Sequence, residues 1–211
     1  MTDFLYLASK SPRRQELLRQ IGVSFRVLEP LDPEAAEALE APLPAESPTV
    51  YVKRVVRAKL ESALASLEPR GLEAAPVLAA DTTVAVGGRM LGKPESPAQA
   101  REMLRLLSGR THRVLTAVAL ARSSRRDLVV SVSRVSFARL SPAQIDDYVA
   151  SGEPFDKAGA YGIQGSAGAF ARRIEGSYSG IMGLPLYETA RLLRGLPGVR
   201  QPERAGTPRC R

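Results

Sequence analysis

The chain has 211 residues, a formal net charge of +8 and one cysteine, Cys210, so an internal disulfide is excluded. No apolar run is long enough to span a bilayer, and Met1–Leu7 lacks the basic and apolar stretches of a secretory signal. At 44% hydrophobic residues the chain can bury a core, whereas 5% aromatics leave few platforms for stacking single-stranded nucleic acid. A cytoplasmic protein with an anionic partner, or simply with a solvated basic surface, is expected.

Leu5-Tyr6-Leu7-Ala8 reads as a short strand feeding Ser11-Pro12, a helix N-cap followed by proline in the first turn. Leu17, Leu18 and Ile21 form that helix's apolar stripe, and Gly22 stops it. The same Ser-Pro opening recurs at Ser47-Pro48, Ser96-Pro97 and Ser141-Pro142, each ahead of a helical pattern. Between them, Asp32–Ser47 is rich in Pro, Ala and Glu and is expected to be loop. The helix after Ser47 places Val52, Val55, Val56, Ala63 and Leu67 on one face. Val77–Ala80 is an apolar strand ending in Asp81, and Thr83–Val86, Gly87-Gly88 and Arg89–Leu91 read as a hairpin. A helix from Pro97 to Leu107 is stopped by Gly109. Val114–Ala121 and Leu128–Phe137 are strands joined by a basic turn, and a phase change between Val132 and Val135 predicts a bulge. A helix from Pro142 to about Ala150 ends at Gly152, Ala158–Gly183 mixes short strands with loops, and Pro185–Leu193 is the last helix. Beyond Gly195, Gly, Pro and Arg dominate, which predicts a single domain over 1–195 and a disordered basic tail over 196–211. Alternating strands and helices indicate an α/β fold with a mixed sheet.

Five segments carry candidate chemistry. In Ala8-Ser9-Lys10-Ser11-Pro12-Arg13-Arg14 a strand leads a polar loop into a helix start bearing two arginines. Cations there oppose the helix dipole unless an anion binds, although a plain capped helix with solvent-facing arginines gives the same pattern. Lys59 falls on the apolar face of its helix, where it either snorkels to the edge or serves a site. If it serves a site by binding phosphate, methionine at this position would preserve or raise the melting temperature while weakening turnover; untouched activity would favour snorkelling. Asp81, at the carboxyl end of a buried strand, is placed to hold a metal or act as a base, or else to cap a turn. Lys93, before Pro94, is a fixed cation near that strand. Asp156–Gly165 joins small residues to Gln164, whose amide can both donate and accept as base recognition requires; a tight turn with Asp156 and Lys157 paired is the plainer alternative. The one histidine, His112, reads as structural, orienting a turn.

Together, Leu7 to Leu18, Ala80-Asp81-Thr82, Gly92-Lys93-Pro94, Ser108-Gly109 with His112, Asp156–Gly165 and Gly183-Leu184-Pro185-Leu186 resemble the Maf proteins, over roughly Leu5 to Leu193. The order of these motifs is more specific than any one of them. The resemblance implies a mixed-sheet α/β fold like that of the house-cleaning inosine triphosphatases, with two lobes around a cleft and commonly a homodimer. It implies a divalent cation, Mg²⁺ or Mn²⁺, and hydrolysis of a nucleoside triphosphate between its α- and β-phosphates. Carried onto this chain, Asp81 would be the catalytic carboxylate, and Ser9, Arg13, Arg14, Lys59 and Lys93 would bind phosphates. Glu34 would help hold the metal with Asp81, and Arg13, Thr82 and Gln164 would set base choice. Gly159–Gly165 resembles the branch that prefers dTTP and UTP. The chain departs from the family pattern at Pro33, at Leu60 and in its basic tail.

The charge pattern agrees with that expectation. A triphosphate is answered by lysines, arginines and a helix start, because phosphoryl chemistry needs positioning and charge neutralisation above all. A basic nucleic-acid-binding regulator, or a division regulator with a vestigial site, would account for the charge but not for Asp81 amid cations or for the glycine-rich glutamine segment.

Overall fold

Four helices open on the repeated Ser-Pro pair: α1 (Pro12–Gln20), α3 (Pro48–Ala65), α4 (Pro97–Leu107) and α5 (Pro142–Ala150). In the last three, the serine side chain accepts the backbone N–H expected of an N-cap, from Val50, Gln99 and Gln144. Ser141 and Gln144 complete a reciprocal capping box. Ser11 departs from the expectation. Its side chain makes no capping bond, and its own N–H donates to Ser9 Oγ at 3.2 Å, so the start of α1 is left uncapped.

The structure, a computed structural model, describes residues 2–196. Its α/β fold is built on a mixed seven-stranded sheet in the order β2-β1-β3-β5-β6-β7, with β4 paired to β3. The strands are β1 (Leu5–Leu7), β2 (Phe25–Val27), β3 (Val77–Val86), β4 (Arg89–Leu91), β5 (Thr111–Arg122), β6 (Arg125–Phe137) and β7 (Ala171–Glu175). Strand β1 is parallel to β2 and β3; the remaining pairs are antiparallel. Three further helices are short: α2 (Pro33–Ala38), α6 (Tyr178–Met182) and α7 (Leu186–Leu192). Among the described residues no helix is long and apolar enough to cross a membrane.

Apolar clusters on each face fix the sheet. Helix α3 packs Val52, Val56, Leu60 and Ala63 on Val77, Ala79, Leu115, Ala117 and Ala119. On the opposite face, α1 and its neighbours pack Leu17, Leu18 and Leu184 on Leu78, Ala80, Val118 and Leu120. Helices α4 and α5 cover the far half, where Leu104, Leu107 and Ile145 cluster with the strand residues Val84, Val114 and Phe137. A cleft lies between these halves.

Several expectations are corrected. Asp81 does not end a strand: β3 runs unbroken from Val77 to Val86, with Asp81 opposite Ala117. Its partner β1 stops at Leu7, opposite Leu78, so β3 continues past it with one edge exposed to the cleft. Within the expected loop, Pro33–Ala38 is helical, started by the Asp32 side chain accepting from Ala35 N. The short strand Phe25–Val27 carries no alternating signal and was not expected. No bulge interrupts β6 along β5; their register is continuous, and the only shift lies on the β7 side, between Ser136 and Phe137. The phase change arises because Ser131 and Ser133 face inward while Val132 is half exposed. Ser133 Oγ is satisfied there by Ser177 O and Ser177 N, both at 3.0 Å. His112 sits within β5, not at a turn, and is buried. The expected tail lies outside the described residues, apart from Leu196, which packs on the α1 face.

Candidate active site

Where β1 ends, the chain leaves the sheet as Ala8–Ser11 and enters α1, and the cleft opens beside it with a volume of about 550 Å³. Alternation along β3 sends Asp81 toward α3 and Thr82 toward α1 and α6. Both line the cleft, because the edge of β3 is uncovered there.

On the α3 side, Lys59 Nζ lies 2.7 Å from Asp81 Oδ1 and 2.6 Å from Glu40 Oε1. Asp81 is buried, and its Oδ2 has no hydrogen-bond partner. Lys93 approaches from beyond β4, with Nζ 3.9 Å from Glu40 Oε2. Burial pushes the Glu40 carboxyl upward, but Lys59, then Lys93 and Arg14, outweigh it and hold Glu40 below the usual carboxylate range.

Glu40 was not read from the sequence. Acids recur at Glu34, Glu37 and Glu40, so spacing singles out none of them. Structure separates them: Glu34 is exposed in the first turn of α2 and does not line the cleft, whereas Glu37 and Glu40 do. The backbone around Glu40 is pinned from α3. Tyr51 Oη donates to Glu40 O at 2.8 Å, and Arg54 donates to Leu39 O at 3.0 Å and Ala41 O at 2.9 Å while gripping Glu46 with two nitrogens.

On the α1 side, Arg14 spreads its guanidinium over Gly183 O (2.9 Å), Ser9 Oγ (3.1 Å) and Thr82 Oγ1 (3.4 Å). Burial lowers its pKa from the ordinary arginine value, and the charges of Asp81 and Glu40 draw it back. Gly183 has φ of +121°, a backbone conformation that favours glycine, although a Cβ there would meet Arg14 Nε only at ordinary contact distance, 3.5 Å. Thr82 Oγ1 lies 3.0 Å from Thr116 Oγ1.

The third wall is Asp156–Gln164. Arg13 pairs with Asp156 at 2.9 Å, and Asp156 pairs also with Lys157, as expected for a tight turn. Lys157, Ala158, Tyr161, Gly162 and Gln164 line the cleft. Thus Ser9, Arg13, Arg14, Lys59, Asp81, Thr82, Lys93 and Gln164 share one cavity, and of the expected site residues Glu34 alone stands outside it.

A divalent cation asks for hard oxygen donors. Among the described residues no three His, Cys, Asp or Glu side chains converge. Two carboxylates, Asp81 and Glu40, nonetheless line the cleft on either side of Lys59 Nζ, and Asp81 Oδ2 is buried without a partner. That donor set fits an ion that takes its remaining ligands from water and phosphate oxygens, as Mg²⁺ commonly does.

The chain is similar to several named proteins. A protein of Albidiferax ferrireducens named dTTP/UTP pyrophosphatase is 57% identical over 92% of this chain and 97% of its own length. Proteins of the same name from Polaromonas sp. and Ralstonia nicotianae are each 58% identical, over 91% and 90% of this chain and 95% and 92% of their own lengths. The solved structure of the Staphylococcus aureus Ham1 protein is a remote likeness, with a TM-score of 0.41 and 15% identity over 64% of this chain and 71% of that one. The family described as Maf-like protein matches residues 4–196, which embrace every wall of the cleft, and the chain belongs to the Maf family.

Proposed function

We propose that the chain hydrolyses dTTP and UTP to the nucleoside monophosphate and pyrophosphate. The observation that carries the reading is a buried carboxylate with a free oxygen, Asp81 Oδ2, set in a cleft walled by Lys59, Lys93, Arg13 and Arg14. The names and high identity of the relatives support the choice of nucleotides.

In this reading the triphosphate lies along Ser9, Arg14, Lys59 and Lys93, whose charges offset those of the phosphates. Asp81 takes a proton from a water molecule as that oxygen attacks the α-phosphorus. The bond from the α-phosphorus to the bridging oxygen breaks, and its electron pair leaves with pyrophosphate. A Mg²⁺ or Mn²⁺ ion held by Asp81 and Glu40 would neutralise phosphate charge and lower the pKa of bound water. Glu40 suits this role better than Glu34, because Glu40 lines the cleft that Asp81 lines and Glu34 does not. Arg13, Thr82 and Gln164 would face the base. A cytoplasmic homodimer is part of the same proposal.

The test is a panel of nucleoside triphosphates with Mg²⁺ or Mn²⁺, scoring pyrophosphate against inorganic phosphate. Pyrophosphate release from dTTP and UTP ahead of CTP, ATP and GTP is expected, with loss on chelation. Preference for a purine nucleotide, or release of single phosphates, would overturn the reading.

A further inference from the structure

Gln164 cannot by itself tell uracil from cytosine. A primary amide can turn over to suit either edge. Discrimination needs a neighbour whose donor or acceptor character is fixed. Thr82 is such a neighbour.

Thr82 and Thr116 are register partners on β3 and β5, and their hydroxyl oxygens lie 3.0 Å apart. By itself this contact does not say which hydroxyl donates. Thr116, however, is buried and lies 2.7 Å from Gly180 O, a carbonyl that can only accept. The single proton of Thr116 is therefore committed to Gly180, and Thr82 must donate to Thr116. Arg14 Nη2, which can only donate, approaches Thr82 Oγ1 at 3.4 Å. The hydroxyl of Thr82 thus has its proton engaged and one lone pair taken, which leaves one lone pair for the cleft that Thr82 lines. Gly180 is itself held, since its N–H donates to Ser177 Oγ at 2.9 Å and a Cβ on it would meet Ser177 at 3.1 Å.

We infer that Thr116 is a positioning residue for base selection: it fixes Thr82 as a pure acceptor toward the pyrimidine. Uracil and thymine carry a proton on N3 that such an acceptor takes. Cytosine presents a bare N3, and two lone pairs then face each other. The inference rests on the proposed dTTP and UTP preference and supplies the fixed partner that Gln164 lacks. Leaving a polar group unpaired in a water-poor site gives about a 10- to 100-fold preference.

The experiment measures kcat/KM for UTP, CTP and N3-methyl-UTP, in which a methyl group replaces the N3 proton and both carbonyls are kept, with wild type, Thr116→Val and Thr116→Ser. Thr116→Val frees the Thr82 hydroxyl to donate, so the UTP-to-CTP ratio is expected to fall by about 10-fold. Thr116→Ser keeps the donation to Gly180 and should keep the ratio. A packing role alone would lower both substrates together and leave the ratio unmoved, which overturns the inference. If Thr116→Val does not fold, wild type still decides: N3-methyl-UTP should be at least about 10-fold poorer than UTP, and equal use overturns the inference. A wild type that does not prefer UTP over CTP sinks the functional reading itself, a result separable from failure of the Thr116 role.

Discussion

Lys59 Nζ bridges Asp81 Oδ1 at 2.7 Å and Glu40 Oε1 at 2.6 Å, although its helix otherwise turns Val52, Val56 and Ala63 to the core. The helical pattern alone implies that Lys59→Met should preserve or raise stability. The ion pair reverses that expectation. Side-chain exposure is 18% for Lys59 and 6% for Asp81, so removing the lysine strands a buried carboxylate. Lys59→Met should lower unfolding free energy by about 3 kcal/mol, as breaking a buried pair does. Adding Asp81→Asn should recover most of the loss, because no unpaired charge then remains. Denaturant titration of both single variants and the double variant measures this. A Lys59→Met protein as stable as its parent would show that the pair is incidental. Asp81→Asn alone should retain its fold and lose about 10²- to 10⁴-fold in turnover.

Arg54 provides a second prediction, at a distance from the reacting groups. It grips Glu46 with two nitrogens and ties down the carbonyls on either side of Glu40. Lysine cannot reproduce that planar fork. Arg54→Lys should therefore loosen the segment carrying Glu40, raising KM for dTTP by roughly 10-fold while kcat changes less. Limited proteolysis should find new cleavage between Asp32 and Ser47. Unchanged KM and an unchanged digestion pattern would show that the segment holds itself.

These two cases mark how far the site could be read from residues. Asp81, Thr82 and Lys93 were legible because short motifs place them together, and the cleft contains all three. Lys59 was visible as a charge on an apolar helical face, but whether it snorkelled or served a site depended on β3 lying opposite. Glu40 was not legible, since its selection over Glu34 depends on the pinning contacts of Tyr51 and Arg54. The helices with Ser-Pro starts were read nearly to the residue, because capping is local chemistry. Strand β2 and the continuity of β3 depend on pairing partners distant in sequence, which periodicity does not encode.

His112 predicts a specific acid response. Burial pushes its pKa down to about 4 from 6.5, and its Nε2 lies 2.8 Å from Tyr161 Oη. The unfolded chain takes up a proton near pH 6.5 that the folded chain refuses until about pH 4. Stability should therefore fall as pH drops through that window and level off below it. At pH 5 the loss relative to pH 7 is about 2 kcal/mol. His112 is the only histidine, and carboxylates titrate mainly below this range, so the window belongs to it. In His112→Gln, which can still bond Tyr161, the difference between pH 7 and pH 5 should largely vanish. The comparison uses that difference because the variant also loses the edge contact of the ring with Phe137. An equal pH 7 to pH 5 loss in both proteins would assign the acid response to other groups.

Glu153 leads to a prediction about the wall that carries Gln164. One carboxylate oxygen accepts from Tyr148 Oη at 3.1 Å, and that hydroxyl accepts from Gly162 N at 3.2 Å. The other carboxylate oxygen accepts from Ser166 Oγ at 2.8 Å and Ser166 N at 3.2 Å. The loop is thereby pinned on both sides of Gln164. Gly165 makes room for the clamp, since a Cβ there would stand 1.9 Å from Glu153 Oε1. The Glu153 carboxylate touches neither Asp81 nor Lys59 nor Lys93, its only lysine contact being the one its backbone carbonyl accepts from Lys157, so its effect should fall on nucleotide choice and KM, not on the chemical step. Glu153→Gln can keep its carbonyl toward Ser166 only by turning its amide N–H toward Tyr148 Oη, whose proton then loses its acceptor, because glutamine cannot accept with both of its terminal atoms. The variant should raise KM for dTTP and lower the ratio of kcat/KM for UTP over CTP by roughly 10-fold, with a smaller change in kcat. Ser166→Ala removes one bond and leaves the carboxylate in place, so it should move the same ratio in the same direction by less. Melting curves separate loop release from unfolding: Ser166→Ala should melt close to the parent. If kcat falls equally for every nucleotide in both variants while KM and the ratio hold, Glu153 supports the fold and has no part in choosing the base.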